Sequence, residues 1–88
     1  MVIVSGHLYV KPGKRKLFLD SSYPAMVQAR STNGCLDFVV AADPIDEDRV
    51  NVYEEWETEA DLRSFRGTGP DDDLSDLIVD AKITERVI

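Results

Sequence analysis

The segment from Val50 to Leu62 constrains the fold most, because a strand pattern there runs directly into a helix start. Alternation places Glu54 and Trp56, the sole tryptophan, on the same side of an extended strand. Thr58 is a residue type that caps helices, since its hydroxyl accepts from a free N–H of the first turn. Asp61 lies three residues later, where a capping box places an acidic residue. The sequence therefore predicts that Trp56 ends a strand just before a helix.

Three other stretches have strand composition and are predicted to be strands: residues 2–11, residues 35–42 and residues from about 80 to 88. The first of them ends at Pro12-Gly13, whose turn chemistry stops a strand. In the second, Leu36, Phe38 and Val40 are predicted to fall on one face.

The hydrophobic period lengthens after the first strand, so residues 14–30 are predicted to form a helix. Pro24 lies inside this helix and lacks the N–H that would bond to the carbonyl of Asp20. We therefore expect a kink or a break near residues 21–23. Asn33 and Gly34 are expected to close the helix, because these residues readily take the left-handed cap conformation.

The helix after Thr58 is expected to be interrupted at residues 67–70, which read Gly-Thr-Gly-Pro. A short extra helix is predicted next, with Pro70 at its first position and three aspartates in its first turn. Its apolar residues would be Leu74, Leu77 and Ile78.

The predicted order β-α-β-β-α-β indicates an α+β fold, the ferredoxin-like split βαβ sandwich. In this fold two helices cover one face of a four-stranded antiparallel sheet. The other face is then bare, and it is too apolar to be left in water. A homodimer through the open sheet face is therefore expected. The apolar and aromatic residues predicted on that face are Ile3, His7, Tyr9, Val39 and Tyr53.

Composition limits the partners of this chain. The 88 residues suit one domain, residues 1–88, and 17 acidic against 10 basic residues give a net charge of −7. That charge opposes binding to nucleic acid or to anionic lipid. No apolar run approaches the roughly 18 residues that a membrane span needs, and no leader pattern precedes the first strand. We expect no nucleic acid, no membrane and a cytoplasmic location.

Metal and cofactor chemistry find little support in the sequence. Cys35 is the only cysteine, and no Cys or His lies near it at metal-ligand spacing. The chain has no Gly-rich phosphate loop, no nucleophile elbow and no HExxH pattern. No metal and no cofactor is therefore expected.

Six short stretches, taken in order, resemble the antibiotic biosynthesis monooxygenase family. The resemblance implies a dimeric α+β barrel. It also implies a family that contains cofactor-free monooxygenases of aromatic polyketides, quinol monooxygenases, heme-degrading enzymes, isomerases and members without established activity. The stretches are Val4-Ser5-Gly6, Val10-Lys11-Pro12-Gly13-Lys14-Arg15, Phe18-Leu19, Asn33-Gly34-Cys35-Leu36, Tyr53-Glu54-Glu55-Trp56 and Ala60-Asp61-Leu62.

The resemblance carries over to few functional positions. Trp56 matches the tryptophan that lines the pocket of the polyketide monooxygenases, but the position of their pocket asparagine is Val52 here. The heme-degrading members use a helical histidine, which residues 62–67 lack, and a first-strand asparagine, whose position is Gly6. The resemblance therefore does not support heme degradation.

Cofactor-free oxygenation needs an aromatic slot and a group that removes a proton from a phenol or quinol. Glu54 is the candidate base. If it lies inward beside Trp56 and opposite the small Gly6, burial would raise its pKa. The alternative is a solvated Glu54, or one paired with Arg66 or Lys82.

Trp56 is expected to stack on the substrate ring, in a slot walled by Phe38 and Phe65. Arg66 is a candidate partner for an anionic substrate, although a helix-end arginine commonly serves the helix dipole. His7 is the only histidine of the chain, and it is a further candidate contact, although its predicted face is the dimer face.

The sequence thus predicts a cofactor-independent monooxygenase that oxidises an electron-rich aromatic of polyketide or quinol type with molecular oxygen. Two alternatives stay open. One is a non-catalytic dimeric domain that binds small molecules, and the other is an isomerase that uses the same pocket without oxygen.

Overall fold

Strands and helices follow one another in the predicted order β-α-β-β-α-β. The structure is a computed structural model that describes residues 1–68 and 74–88. Within them no helix is both long and apolar enough to cross a membrane. The elements are β1 (Val2–Val10), α1 (Arg15–Arg30), β2 (Cys35–Ala42), β3 (Arg49–Trp56), α2 (Glu59–Thr68), a single 3-10 turn (Ser75–Leu77) and β4 (Ile78–Val87).

The four strands form one antiparallel sheet in the order β2-β3-β1-β4. Val4, in the first half of β1, is paired with Glu54 of β3 on one side and with Glu85 of β4 on the other. Gly6 is paired with Val52 and Ile83 instead. The expectation that Glu54 lies opposite Gly6 was therefore wrong by two residues, because strand register depends on long-range pairing that alternation does not define.

Gly6 allows β1 and β4 to approach closely. Its φ is +154°, and a Cβ atom at this position would lie 2.0 Å from the carbonyl oxygen of Lys82. Only a residue without a side chain fits there.

The first helix runs without interruption from Arg15 to Arg30, so the expected break at Pro24 was wrong. Proline leaves one carbonyl, that of Asp20, without its helical donor, and Asp20 is exposed to water. The neighbouring buried hydroxyl of Ser22 donates to the carbonyl of Phe18 at 2.8 Å. Because Asp20 is exposed, its carbonyl does not need a protein donor, and the helix continues through Pro24.

The end of α1 also differs from the prediction. Ser31 caps the helix in a right-handed conformation, and the positive φ of +88° occurs at Gly34, immediately before β2. The hydroxyls of Ser31 and Thr32 both donate to the carbonyl of Gln28. Because these side chains satisfy the helix end, no left-handed cap is needed there.

A β-bulge at the start of β2 changes the predicted face of one residue. Cys35 is paired with Trp56 and Asp37 with Glu55, so Leu36 is the extra residue. Leu36 is 50% exposed, whereas Phe38 is buried. The prediction that Leu36 shares a face with Phe38 was wrong, because a bulge interrupts the two-residue period.

The start of α2 confirms the predicted cap. The backbone N–H of Asp61 donates to the hydroxyl of Thr58 at 3.1 Å, and that hydroxyl donates to the Asp61 carboxylate at 2.9 Å. Most of the predicted extra helix, residues 70–73, lies outside the described residues. Its end is a single 3-10 turn, and Ile78 already belongs to β4.

Both helices cover the same face of the sheet, and their apolar side chains form two adjoining clusters with it. The opposite face carries the five residues expected there, each of them half-buried in the single chain. The buried members of the first cluster are Val2, Val4, Ala29, Phe38, Trp56, Leu62 and Phe65, and those of the second are Leu8, Val10, Phe18 and Val50.

Candidate functional site

Glu54 and Trp56 occupy two successive inward positions of β3, as the alternation predicts. Trp56 is fully buried and Glu54 is 8% exposed. The indole Nε1–H of Trp56 donates to Oε1 of Glu54 at 3.0 Å. A buried carboxylate therefore has a defined neutral donor as its partner.

Three aromatic rings pack together beside this carboxylate. The ring of Phe65, from α2, lies 5.3 Å from that of Trp56 and 5.7 Å from that of Phe38, measured between centroids. Phe38 is also the direct cross-strand partner of Glu54, and its carbonyl accepts from Nε of Arg30 at 2.9 Å. The surroundings of the carboxylate are thus largely apolar on this side.

Burial raises the pKa of the Glu54 carboxyl above its ordinary value of 4.5. The hydrogen bond from Trp56 and the charge of Arg66 act in the opposite direction, and the charge of Glu85 adds to the rise. The balance leaves the pKa raised. The sequence prediction of a perturbed Glu54 is confirmed, although the residue opposite it is Val4 and not Gly6.

An ion pair joins α2 to β4 next to this carboxylate. Arg66 Nη1 donates to Oε1 of Glu85, and both side chains are partly exposed. This hydrogen bond lowers the pKa of Glu85. Arg66 is therefore paired with Glu85 and not directly with Glu54. Lys82, the other predicted partner, is opposite His7 on the open face of the sheet and is therefore on the other side from Glu54.

Glu85 was not among the candidates chosen from the sequence. The available signal was the alternation of β4, which places Glu85 on the same face as Ile83 and Val87. A glutamate at an inward position is unusual enough to attract attention. Its pairing with Arg66 depends on how α2 lies against the sheet, which local patterns do not indicate.

His7 lies on the other side of the sheet from the remaining candidates. It is paired with Asn51 and Lys82, and its ring meets the ring of Tyr9 edge to face at 5.7 Å. A ligand in contact with Glu54 would not contact His7 of the same chain. The structure thus brings together Glu54, Trp56, Phe38, Phe65 and Arg66, but not His7.

No group of three or more His, Cys, Asp or Glu side chains within residues 1–68 and 74–88 is arranged to hold a metal ion. Cys35 lies in the same cross-strand row as Trp56, and burial raises the pKa of its thiol. The site therefore offers one buried carboxylate, one guanidinium and an aromatic wall.

The family model for antibiotic biosynthesis monooxygenases matches residues 1–70, which is most of the chain. The chain belongs to this family. No curated protein matches it. The site described above falls within the matched part except for Glu85, which lies beyond it on β4.

Solved structures share the fold of this family member at low sequence identity. A candidate antibiotic biosynthesis monooxygenase from Nitrosomonas europaea is 18% identical, with 97% of this chain and 86% of that chain covered at a TM-score of 0.86. Another, from Deinococcus radiodurans, is 22% identical and has a TM-score of 0.84, with 100% of this chain and 92% of that chain covered. A protein from Pseudomonas aeruginosa is 18% identical and has a TM-score of 0.83, with 99% of this chain and 94% of that chain covered.

Protonation of Glu54 should make stability depend on pH. A carboxyl group whose pKa is higher in the folded than in the unfolded protein adds to the free energy of unfolding. This contribution is fully present below the pKa of the unfolded state and is lost as the pH rises through the pKa of the folded state. The free energy of unfolding of the wild type should therefore fall, relative to Glu54→Gln, as the pH rises from about 4.5. Urea unfolding of both proteins at a series of pH values measures this difference.

Glu57→Gln is the matched control, because Glu57 follows β3 and is exposed. The free energy of unfolding of this variant, plotted against pH, should run parallel to that of the wild type. Parallel curves for wild type and Glu54→Gln would instead show that the carboxyl titrates alike in the folded and unfolded states.

Proposed function

We propose that this family member is a cofactor-independent monooxygenase that oxidises an electron-rich aromatic, of polyketide or quinol type, with molecular oxygen. The observation that carries the proposal is the buried Glu54 carboxylate. It has a raised pKa, accepts a hydrogen bond from Trp56 and is bordered by aromatic rings. A carboxylate in such surroundings is suited to remove a proton from a phenol or from an activated methylene.

The proposed role of Glu54 is general base. A base works best when its pKa lies near the operating pH, and burial moves the pKa of Glu54 in that direction. Proton removal gives a substrate anion that is electron-rich enough to reduce oxygen directly. The charge of Arg66, which also acts on Glu54 but is paired with Glu85, would offset only part of the charge of that anion.

The aromatic rings would hold the substrate. In the single chain Phe65 is in contact with both Trp56 and Phe38, so a flat ring enters this space only if Phe65 moves aside. The indole face of Trp56 would then stack on the substrate. The surrounding apolar side chains would keep bulk water from the anion.

The overall reaction balances without a cofactor. For an anthrone, Glu54 takes one proton of the methylene, and the carbanion transfers electrons to oxygen and combines with it to give a peroxide anion. Glu54 returns its proton to this anion, and the hydroperoxide loses the second methylene proton and hydroxide, together one water, to leave a carbonyl. One oxygen atom ends in the quinone and the other in water, so the substrate itself supplies the electrons.

The proposed assembly is a homodimer through the open sheet face. The support for it is that this face carries Ile3, Val39 and Tyr53, half-buried even without a partner, in addition to His7 and Tyr9. A second sheet packed on this one would bury these side chains, and the family resemblance implies the same arrangement. The dimeric α+β barrel is the expected result.

A second candidate is a non-catalytic dimeric domain that binds small hydrophobic molecules. The close packing of Trp56, Phe38 and Phe65 favours it, because no gap for a substrate separates these rings in the single chain. Val52, at the position of the pocket asparagine, also favours it. Turnover experiments distinguish this candidate from the proposed enzyme.

Glu54→Gln should lower the rate of oxygen uptake with an anthrone or a naphthohydroquinone by about 10²–10⁴-fold, the usual contribution of a general base. The substituted side chain has similar volume and still accepts from Trp56, so folding should be retained. Uptake in an oxygen electrode, corrected for the spontaneous reaction, measures the effect.

Glu57→Gln should retain the wild-type rate, since its side chain is exposed and away from the aromatic cluster. Full activity of Glu54→Gln would exclude the carboxylate from the chemistry. A wild type that binds these compounds but consumes no oxygen with any of them would support the non-catalytic domain.

Ile3→Glu should convert the proposed dimer into a monomer, because it buries a charge in the sheet-to-sheet contact. Val27→Glu is the matched control, since Val27 is 54% exposed on α1, away from that face. Multi-angle light scattering at micromolar concentration reports the mass of each. A wild type that is already monomeric would contradict the proposed assembly.

A further inference from the structure

Two carboxylates lie near one guanidinium, that of Arg66, on the helix-covered face. Val4 of β1 is flanked by Glu54 on β3 and by Glu85 on β4, so both glutamates lie in the same row and on the same side of the sheet. Adjacent strands are about 4.8 Å apart, which places the two backbone positions about 10 Å from one another. Arg66 reaches this row from α2, bonded to Glu85 and close enough for its charge to act on Glu54.

The charge of Arg66 is thus already balanced before any ligand binds. The side chains packed around Glu54 are uncharged: Val4 and Phe38 are apolar, Trp56 is neutral, and burial raises the pKa of the Cys35 thiol. Two further cations lie nearby and have other partners: Arg30 donates to the carbonyl of Phe38, and Arg63 is ion-paired with Glu59 while its charge also acts on Glu85. Of the described residues whose charge acts on Glu54, Arg66 is the cation and Glu85 the anion. With Glu54 ionised, this cluster carries two negative charges and one positive charge.

We propose that Glu85 determines which charge the substrate can carry: by occupying Arg66, it makes the site accept neutral phenols and quinols and reject aromatic carboxylates. The inference rests on the proposed function for the location of the ligand beside Glu54. A neutral phenol passes its proton to Glu54, so the charge of the whole cluster does not change. An aromatic carboxylate adds a further negative charge to a site where Arg66, the guanidinium whose charge acts on Glu54, is already paired with Glu85.

Neutralising Glu85 should reverse this selection. In Glu85→Gln the ion pair is lost, and Arg66 becomes free to bind a ligand carboxylate through charge-assisted hydrogen bonds. The side chain is partly exposed, so the substitution should leave the fold intact. Glu85 would then be a specificity-determining residue that acts through Arg66 without touching the reacting atoms.

The test compares two ligands that differ by one carboxylate, 2-naphthol and 3-hydroxy-2-naphthoate, at pH 7. The single indole N–H signal of Trp56 in an NMR spectrum reports binding beside Glu54 without any need for turnover, and it also shows that each variant is folded. The wild type should favour 2-naphthol. Glu85→Gln should bind the carboxylate about tenfold more tightly than the wild type does, with little change for 2-naphthol.

Two control variants test whether the gain in carboxylate binding comes from the release of Arg66. Asp80→Asn removes the same charge from the same strand but on the open sheet face, and it should leave the preference unchanged. The double variant Arg66→Gln/Glu85→Gln should lose the gain in carboxylate binding, because the free guanidinium is gone. An unchanged preference in Glu85→Gln, an equal shift in Asp80→Asn or a gain that persists in the double variant would each overturn the inference.

Failure of the inference and failure of the proposed function give different results. A wild type that prefers 2-naphthol but consumes no oxygen would contradict only the proposed monooxygenase activity. A wild type that consumes oxygen and binds both ligands equally would contradict only the proposed role of Glu85. If neither ligand moves the Trp56 signal, the ligand site is not beside Glu54, and both are overturned.

Discussion

The hydrogen bond between the Trp56 indole and the Glu54 carboxylate is the interaction on which the site depends. A carboxylate on the helix-covered face of a central strand loses most of its water, and one neutral donor and a nearby guanidinium offset only part of that loss. The raised pKa of Glu54 is the result. Phe38 and Phe65 complete the apolar surroundings, and the pairing of β3 with β1 holds the carboxylate toward the helices. The fold thus buries a carboxyl group and raises its pKa.

Local patterns predicted much of this arrangement. The alternation of β3 placed Glu54 and Trp56 inward, and Thr58 capped α2 as expected, because both features depend on neighbouring residues only. Long-range geometry decided the rest. The register of β1 against β3 put Val4 opposite Glu54, a bulge turned Leu36 outward, and the Arg66–Glu85 pair arose where α2 meets β4. None of these follows from the period of a single segment.

Membership of the antibiotic biosynthesis monooxygenase family defines the fold more closely than the reaction. Structures only about one-fifth identical share nearly the whole chain, so the sheet and helices tolerate wide changes in sequence. In the proposed function, selectivity would come from the few side chains around Glu54. In the proposed mechanism, Glu54 takes the proton and Arg66 faces the substrate anion. Glu85, from the edge strand outside the matched region, would decide which substrate charge the site accepts.

The most direct test of the central claim is a pH titration of the Trp56 indole N–H signal by NMR. Because this N–H donates to Glu54, the signal should shift as the carboxyl gains a proton, with a midpoint above 4.5, and the shift should vanish in Glu54→Gln. A signal that does not respond to pH, or one that titrates identically in Glu54→Gln, would show that Glu54 is not the buried ionisable group on which the site is built.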